Sequence, residues 1–334
     1  MAGRPKIDCT EILKAVNDRG VSARQVSLLV GCSYNTAYSK LRELERRGLV
    51  VSFKDNGRLK WKRVGHSSLT EFLEESTVIV PKEVFERFKR LFKRHKNLCR
   101  FIEREHNTKM FNIVTETWNP VTGCLHNCKY CWARRLAETK LSNSKRYRNG
   151  FIPRINREEF RKKFKGGVIF VSDMGDLFGY WVPRSWIMKV INYVREFPET
   201  LFLFLTKNPG RFREFIKDFP SNVILGSTIE TDRDDLYVKH NISRAPVPGE
   251  RFEAMRNIDW WFKWISIEPI LKFNLDRLVK WMVEINPKLI YVGYDNYNNR
   301  LPEPKLNETL KLIGELEANG FKVIRKTIRR AWYE

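Results

Sequence analysis

The sequence predicts an α/β protein in two parts, a small N-terminal domain rich in helices and a larger C-terminal domain built on a parallel sheet. The chain has 334 residues, more than one hydrophobic core usually serves. Its first 65 residues have the pattern of three short helices followed by a hairpin. After residue 109, strand-like and helix-like segments alternate, as they do in βα units around a parallel sheet. We place the domains at residues 1–65 and 109–334, joined by a basic helical linker at 66–108.

Local signals bound each helix of the N-terminal part. The first helix is predicted to stop at Gly20, since glycine commonly ends helices. Ser22 is placed to cap a second helix that ends at Gly31. Ser33 or Asn35 then opens the third helix, because hydroxyl and amide side chains satisfy the free N–H groups of a first turn.

The order of these elements resembles a winged helix-turn-helix domain. Two β-prone runs, residues 49–53 and 59–64, flank Asp55-Asn56-Gly57, a hairpin signal. The resemblance implies that the third helix enters a DNA major groove, that the wing meets phosphates and that an N-terminal arm lies in the minor groove. The implied nucleic-acid contacts are Arg4 and Lys6 on the arm, Tyr34, Asn35, Thr36, Tyr38 and Lys40 on the helix, and Arg58, Lys60 and Lys62 on the wing. The alternative is that this domain packs against a protein or forms a dimer.

The charge of the chain points to a polyanionic partner. The formal net charge is +23, and nucleic acid gains affinity for such a surface by releasing counterions. A basic stretch at residues 84–104 has the apolar spacing of an amphipathic helix, whose basic face is either solvated or part of a nucleic-acid track. A basic surface kept only for solubility is the alternative. The sequence has neither a bilayer-spanning apolar stretch nor a secretory signal at its N-terminus, so we expect a cytoplasmic protein with no membrane partner.

The C-terminal part is predicted to hold seven strands, several of which end in small or polar residues where α/β barrels place their chemistry. The candidate strands are 110–115, 167–172, 201–205, 222–228, 264–267, 289–293 and 321–324. The candidate helices between them are 184–197, 211–218, 275–285 and 307–318.

Three cysteines follow the first of these strands in the pattern C-x3-C-x2-C. They are Cys124, Cys128 and Cys131, and a helical run at residues 132–139 comes next. Three thiolates ligate three irons of a four-iron cluster and leave the fourth iron open to a ligand from outside the protein. The alternative is a zinc knuckle with His126 or a distant residue as fourth ligand. We expect His126 instead at the surface or behind the ligands, since zinc sites usually pair two sets of close ligands and the sequence has one.

The cysteine motif and the segments around it resemble the radical S-adenosylmethionine (SAM) superfamily. The segments are residues 117–124, 171–178, 205–209, 226–230 and 266–270. They look like a phage-associated radical SAM family of unassigned function and, more distantly, like spore photoproduct lyase. The resemblance implies a partial (βα)6-type barrel that holds a [4Fe–4S] cluster and SAM. It also implies reductive cleavage of SAM to a 5′-deoxyadenosyl radical that abstracts hydrogen from a substrate, with an external electron donor such as ferredoxin or flavodoxin.

The resemblance also implies which residues meet SAM and substrate. Tyr130 stands where the family puts a residue near the adenine, and Thr228, Glu230 and Glu268 end later strands. Ser172, Asp173 and Asp176 follow the second strand, where the SAM amino group is held, although the family more often has Gly-Gly-Glu there. Thr228, Glu230 and Glu268 could each instead be a structural polar group satisfied by loop backbone. The substrate-side candidates are Tyr294, Asp295, Asn296 and Lys326.

No cysteine follows Cys131, so the C-terminal region supplies neither ligands for an auxiliary cluster nor a thiol that returns hydrogen to a product radical. A tyrosine or 5′-deoxyadenosine itself must then do so. The candidates are Tyr180, Tyr291, Tyr294 and Tyr297.

Together these features predict a nucleic-acid-directed radical enzyme that repairs or modifies a base or sugar of DNA or RNA. One alternative keeps the radical chemistry on a small molecule or peptide, with the N-terminal domain only localising or regulating the enzyme. The other is a transcription regulator that senses redox state or iron through an Fe–S cluster.

Overall fold

The computed structural model describes residues 9–16, 20–46, 49–55, 58–63 and 111–334. The chain divides into two units, residues 1–88 and 89–334, and each is described by itself. The division falls within the stretch predicted as a linker. The predicted arm with Arg4 and Lys6 and the predicted helix at 84–104 lie outside the described residues.

The N-terminal unit consists of three helices and a hairpin. They are α1 (Cys9–Ala15), α2 (Ala23–Val30), α3 (Tyr34–Arg46), β1 (Val50–Asp55) and β2 (Arg58–Arg63), with β1 and β2 antiparallel. Ser22 caps α2 by accepting a hydrogen bond from the Gln25 backbone, and Gly31 ends the helix at φ 69°. Ser33, not Asn35, caps α3, because its hydroxyl accepts from the Thr36 backbone at 3.1 Å. Trp61 of β2 is buried in the core of this unit.

The C-terminal unit alternates strands and helices. The strands are β3 (Glu116–Trp118), β4 (Val121–Thr122), β5 (Arg154–Ile155), β6 (Val168–Val171), β7 (Leu201–Thr206), β8 (Val223–Thr228), β9 (Lys263–Ile267), β10 (Leu289–Val292) and β11 (Val323–Arg325). The helices are α4 (Trp132–Glu138), α5 (Arg184–Arg195), α6 (Asp234–Lys239), α7 (Pro248–Arg256), α8 (Leu275–Ile285) and α9 (Leu306–Ala318). The predicted helix at 211–218 is instead a short 3₁₀ turn, Pro209–Glu214.

One parallel sheet organises this unit. Its strand order is β11-β10-β9-β8-β7-β6-β3, and all six pairings are parallel. The strands thus follow one another across the sheet in chain order, which gives a curled half-barrel. Strands such as β7, with the sequence LFLFLT, are apolar on both faces because both faces of a parallel sheet are covered. The carboxyl ends of the strands therefore meet along one edge.

The first strand was predicted in the wrong place. Residues 111–115 form no strand, and β3 begins at Glu116. Phe111, Ile113 and Val114 are buried against one face of the sheet, beside Phe170 and Leu203. Their apolar character comes from covering the sheet, so a pattern based on β-propensity mistakes them for a strand of it.

No helix in the described ranges is both long and apolar enough to cross a membrane.

Candidate functional site

The three cysteines of the motif line one cavity at the carboxyl edge of the sheet. They lie on the loop between β4 and α4, and the cavity has a volume of about 380 Å³, within the range of ligand pockets. Cys131 caps α4, since its Sγ accepts from the Arg134 backbone at 3.3 Å. Cys128 Sγ lies 3.1 Å from Ser243 Oγ. Three thiols thus share one enclosed wall with room for a ligand beside them.

Two glycines let the cysteine loop lie directly on the loop that follows β6. The Gly123 N–H donates to the Met174 carbonyl at 2.9 Å. A Cβ on Gly123, at φ +85°, would lie 2.2 Å from the Ile152 carbonyl oxygen, which is inside contact distance. A Cβ on Gly175 would lie 3.1 Å from the Gly123 carbonyl oxygen. The backbone at Gly123 therefore admits no side chain.

The donor set of this loop suits a four-iron cluster better than a single zinc ion. Within the described residues, no three His, Cys, Asp or Glu side chains come close enough together to hold one metal ion. A cluster takes each thiolate on a different iron, whereas a zinc site usually takes two pairs of closely spaced ligands, and this loop supplies no second pair. Burial raises the pKa of the Cys124 thiol well above its usual value and also raises that of Cys131, and a metal binds these residues as thiolates.

His126 is buried and not at the surface, where one of the two expectations had put it, and both His126 and Asp176 are among the residues that line the cavity. His126 is 1% exposed, and its Nε2 lies 2.9 Å from Asp176 Oδ2. Asp176 also accepts hydrogen bonds from the Thr206 hydroxyl at 2.6 Å and the Lys207 backbone at 2.9 Å. Burial acts to raise the pKa of Asp176, but its bonds to His126 and Thr206 hold that pKa below its usual range. This carboxylate anchors the loop, and its oxygens are already engaged by the protein.

The other two predicted residues after β6 differ in where they lie. Ser172 is buried at φ +60°, and its side chain does not reach the cavity. Asp173 does line the cavity. Its Oδ1 accepts from the Asn119 side chain at 2.5 Å, and burial raises its pKa to about 6. Of Ser172 and Asp173, only Asp173 has a side chain that can contact a ligand in the cavity.

Of the two residues predicted at the end of β8, Thr228 lines the cavity and Glu230 does not. Glu230 is completely buried and pairs with the guanidinium of Arg251 at 2.7 Å, which is also completely buried. Burial acts to raise the pKa of Glu230, but Arg251 and Lys207 hold it below its usual range. Glu230 therefore does not line the cavity. It lies behind the cavity wall and supports it.

Tyr130 links the buried Glu230 carboxylate to the cavity. Its ring lines the wall, and its hydroxyl donates to Glu230. Burial and the nearby Glu230 charge raise the pKa of Tyr130 well above its usual value. The ring orientation is thus fixed by a hydrogen bond on the side away from the cavity.

Lys207 is a cavity residue that the sequence reasoning missed. It follows β7 directly, lines the cavity and lies with its Nζ 3.2 Å from Glu230 Oε1. A sequence signal exists, because Lys207 directly follows its strand, as Ser172, Glu268 and Lys326 follow theirs.

Glu268 and Lys326 were predicted for different ligands, yet they form one pair. Lys326 Nζ lies 2.9 Å from Glu268 Oε2, and both side chains are mostly buried, 19% and 14% exposed. The ammonium also lies 4.7 Å from the centre of the Phe111 ring. Both charged groups line the cavity at the ends of β9 and β11, away from the cysteine loop in the sheet order.

The remaining substrate-side candidates also line the cavity, but several have their polar atoms engaged elsewhere. The Tyr294 hydroxyl bonds Thr309 Oγ1 at 2.7 Å. Asp295 accepts from the Asn299 backbone at 2.6 Å, and Asn296 Oδ1 accepts from Thr327 at 2.6 Å. These groups shape the loops at the cavity rim.

Only one of the four tyrosines considered as hydrogen donors combines a cavity position with partial exposure. Tyr180 and Tyr291 do not line the cavity, and the Tyr291 hydroxyl donates to Asn112 at 2.6 Å. Tyr297 lines the cavity and is 46% exposed. The Arg135 guanidinium lies 4.8 Å from the centre of its ring.

In the N-terminal unit, the residues predicted to contact nucleic acid are unevenly available. Tyr34 and Asn35 are exposed on α3. Tyr38 packs edge-on against buried Trp61, with ring centres 5.6 Å apart.

Lys40 pairs with Glu43 at 2.8 Å and Lys60 with Asp55 at 2.6 Å. The Thr36 hydroxyl lies 2.8 Å from the Ser33 hydroxyl, and Lys62 Nζ lies 5.7 Å from the centre of the Phe53 ring. The Arg58 side chain lies outside the described residues.

Comparison with known families matches residues 107–284 to the family described as "Protein of unknown function (DUF5131)", which is just over half of the chain. A search among curated proteins gives no match.

Several solved structures are similar at low identity. A spore photoproduct lyase mutant with bound AdoMet and dinucleoside spore photoproduct is 12% identical over 60% of each chain, with a TM-score of 0.42. The match thus spans about 60% of that lyase. A radical SAM methyltransferase from Sphaerobacter thermophilus is 14% identical over 63% of this chain and 66% of that chain, with a TM-score of 0.40. Streptococcus suis SuiB bound to precursor peptide SuiA is 12% identical over 97% of this chain and 67% of that chain, also with a TM-score of 0.40. At these values the chemistry has to be argued from the site itself.

Proposed function

This chain belongs to the family described as "Protein of unknown function (DUF5131)", and we propose that it is a radical SAM enzyme acting on nucleic acid. The observation that carries the proposal is the set of three thiols, in C-x3-C-x2-C order, on the wall of one cavity large enough for a ligand. The motif provides three cluster ligands and leaves one iron open.

The cysteine loop would hold the cluster. A [4Fe–4S] cluster with SAM bound there supplies reductive cleavage of SAM to a 5′-deoxyadenosyl radical. The protein's own part is to keep the loop in place. Gly123 permits its close packing, and the buried pair of His126 and Asp176 fixes it to the end of β6.

The cavity wall beside the cysteines suits the zwitterionic end of SAM. Asp173 offers a carboxylate that complements an ammonium group, and Lys207 offers an ammonium group that complements a carboxylate. The Thr228 hydroxyl is available to a ribose. Arg251 and Glu230 act behind this wall, since Glu230 positions both the Lys207 ammonium and the Tyr130 ring.

The far end of the cavity suits a polar substrate. Glu268 and Lys326 present an acceptor and a donor side by side, and Tyr297 stands at the exposed rim as a candidate to return hydrogen to a product. These charged groups also favour an enzyme over a cluster-based sensor, because a sensor has no use for a polar cavity next to its cluster.

Nucleic acid as substrate is supported by the charge of +23 and by the N-terminal unit. Its three helices and hairpin are arranged in the order of a winged helix-turn-helix domain, and α3 exposes Tyr34 and Asn35. We therefore propose that this unit binds DNA or RNA and delivers it to the C-terminal unit.

The cluster assignment is tested by anaerobic reconstitution with iron and sulfide, followed by electron paramagnetic resonance of the dithionite-reduced protein with and without SAM. We expect about four irons per chain and a spectrum that shifts when SAM is added, as direct binding to the open iron requires. Cys124→Ala, Cys128→Ala and Cys131→Ala should each abolish the signal, whereas the control Cys32→Ala should keep it. A cluster whose spectrum does not change when SAM is added would contradict the proposal.

A further inference from the structure

Most of the excess positive charge of residues 111–334 is concentrated in one segment. Residues 140–165, here called the basic segment, contain ten Lys or Arg and two Asp or Glu. Residues 166–334 contain 25 Lys or Arg and 22 Asp or Glu. The sheet and its helices are thus close to neutral, and of the net charge of +12 in residues 111–334, +8 lies in the basic segment between α4 and β6.

The two acidic residues of the basic segment form ion pairs within the segment. Glu158 and Glu159 both accept from Arg146, at 3.0 and 2.9 Å. The Arg154 guanidinium donates to the Lys145 and Arg146 carbonyls at 3.2 Å. These contacts fix the fold of the segment without neutralising its exposed cations.

Six cations of the basic segment are exposed and form no ion pair with a carboxylate in the described part of the chain. They are Lys140, Lys145, Arg148, Arg157, Arg161 and Lys165. Folding alone gives no reason to gather six like charges, because like charges repel one another at low salt. A polyanionic ligand supplies the missing counter-charge.

The basic segment also forms part of the cavity. Phe151 lines the cavity, and its carbonyl accepts from the Cys124 N–H at 3.3 Å. Tyr147 and Phe151 pack with Ala133 and Met174, under the cysteine loop. Lys145 and Arg148 therefore stand on the turn that leads Phe151 into the cavity wall.

We propose that the basic segment is a second nucleic-acid contact, separate from the N-terminal unit, which grips the phosphate backbone of the substrate strand where it crosses the cavity. The inference rests on the nucleic-acid substrate proposed above and adds where the catalytic unit holds it. An acidic electron-donor protein would meet the same charge. The strand is favoured because this segment lines the cavity that the substrate must enter, and because Lys and Arg on an exposed loop are typical phosphate contacts.

The test compares two triple variants of the full chain that each remove three positive charges. One is Lys140→Gln/Lys145→Gln/Arg148→Gln on the basic segment. The control is Lys217→Gln/Lys239→Gln/Lys311→Gln, exposed lysines elsewhere on the C-terminal unit. For each protein, the binding constant for a labelled single strand and for a labelled duplex is measured against salt concentration.

We expect the slope of log K against log salt to weaken by about 2 on the single strand and by nearly 3 on the duplex in the basic-segment variant, since each lost phosphate contact removes about 0.7 on single strands and about 0.9 on a duplex. The control should keep the wild-type slope. Nucleic acid should also protect Lys140, Lys145 and Lys165 from acetylation in the wild-type protein. Equal iron content after reconstitution confirms that both variants fold.

The outcomes separate this inference from the function on which it rests. If the wild-type protein binds no nucleic acid, the proposed substrate class is wrong. If it binds but both variants keep the same slope, the basic segment is not a phosphate contact and the inference fails alone. The inference is also overturned if the basic-segment variant binds nucleic acid normally but loses only flavodoxin-driven reduction of the cluster, which would identify a docking site for the electron donor.

Discussion

The imidazole of His126 and the carboxylate of Asp176 form a buried pair, with Nε2 and Oδ2 2.9 Å apart, that ties the cysteine loop to the end of β6. His126 lies between the first and second cysteines of the motif, while Asp176 is also bonded to the ends of β7 through Thr206 and Lys207. One carboxylate thus connects the loop with two strands of the sheet.

Asp176→Ala should lower the free energy of unfolding by about 3 kcal/mol or more, because it leaves several buried donors unpaired. It should also reduce the iron bound on reconstitution. The measurements are urea unfolding followed by tryptophan fluorescence, and iron analysis. The control is Asp235→Ala, which breaks an exposed pair with Arg233 and should change stability little, because solvent screens such pairs. Equal losses in the two variants would mean that Asp176 does not anchor the loop.

Glu230→Gln should be strongly destabilising, by about 3 to 5 kcal/mol, because Arg251 would remain buried without a countercharge. Glu253→Gln is the matched control, since Glu253 pairs with Arg256 at the surface, 51% and 40% exposed, and should change stability by less than about 1 kcal/mol. Urea unfolding of both variants checks this. A Glu230→Gln protein as stable as the control would show that the Glu230–Arg251 pair adds nothing to the support under the cavity.

Gly123→Ala should prevent cluster loading, whereas Gly150→Ala should not. Both glycines have φ near +85°, but a Cβ on Gly123 meets the Ile152 backbone and a Cβ on Gly150 meets nothing within 4 Å. Both variants carry the strain of a left-handed alanine, about 1 to 2 kcal/mol, so their difference isolates the close approach. Iron content and melting temperature measure it, and similar iron content in the two would contradict the packing described here.

Asp173 should make the protein less stable as pH rises from about 4 to above 6. Its pKa is raised to about 6 by burial, so between the usual Asp value and pH 6 the folded state holds a proton that the unfolded state has lost. Stability then falls with pH in that window. Asp173→Asn should lose this trend while keeping the bond to Asn119. Urea unfolding at several pH values between 4 and 7.5 tests it, and parallel curves for the two proteins would refute the assignment.

The sequence was sufficient to predict the cysteine loop and six of the seven strands of the sheet, but not α6, α7, β4 or β5. Ser22 and Gly31 bound α2 as predicted, because capping is local chemistry. The first strand was wrong because residues 111–115 owe their apolar character to covering a face of the sheet, and only the three-dimensional structure distinguishes such a segment from a strand.

The site residues likewise divide into those that local sequence position predicts and those that depend on contacts with residues far away in the chain. Asp173 and Thr228 reach the cavity as their positions after strands suggested. Glu230 does not, because Arg251, 21 residues further along the chain, takes its carboxylate. The partner of His126 is 50 residues away, and spacing within a motif cannot reveal a contact between loops that lie so far apart in sequence.

The measurement that tests the central claim most directly is the formation of 5′-deoxyadenosine by the anaerobically reconstituted, dithionite-reduced protein with SAM. It is run without nucleic acid, with duplex DNA and with transfer RNA, and the product is quantified by chromatography. We predict that 5′-deoxyadenosine forms and that one nucleic acid accelerates it, with Cys128→Ala giving none. A fully loaded cluster that yields no 5′-deoxyadenosine under any of these conditions would contradict radical SAM chemistry and favour a cluster-based regulator.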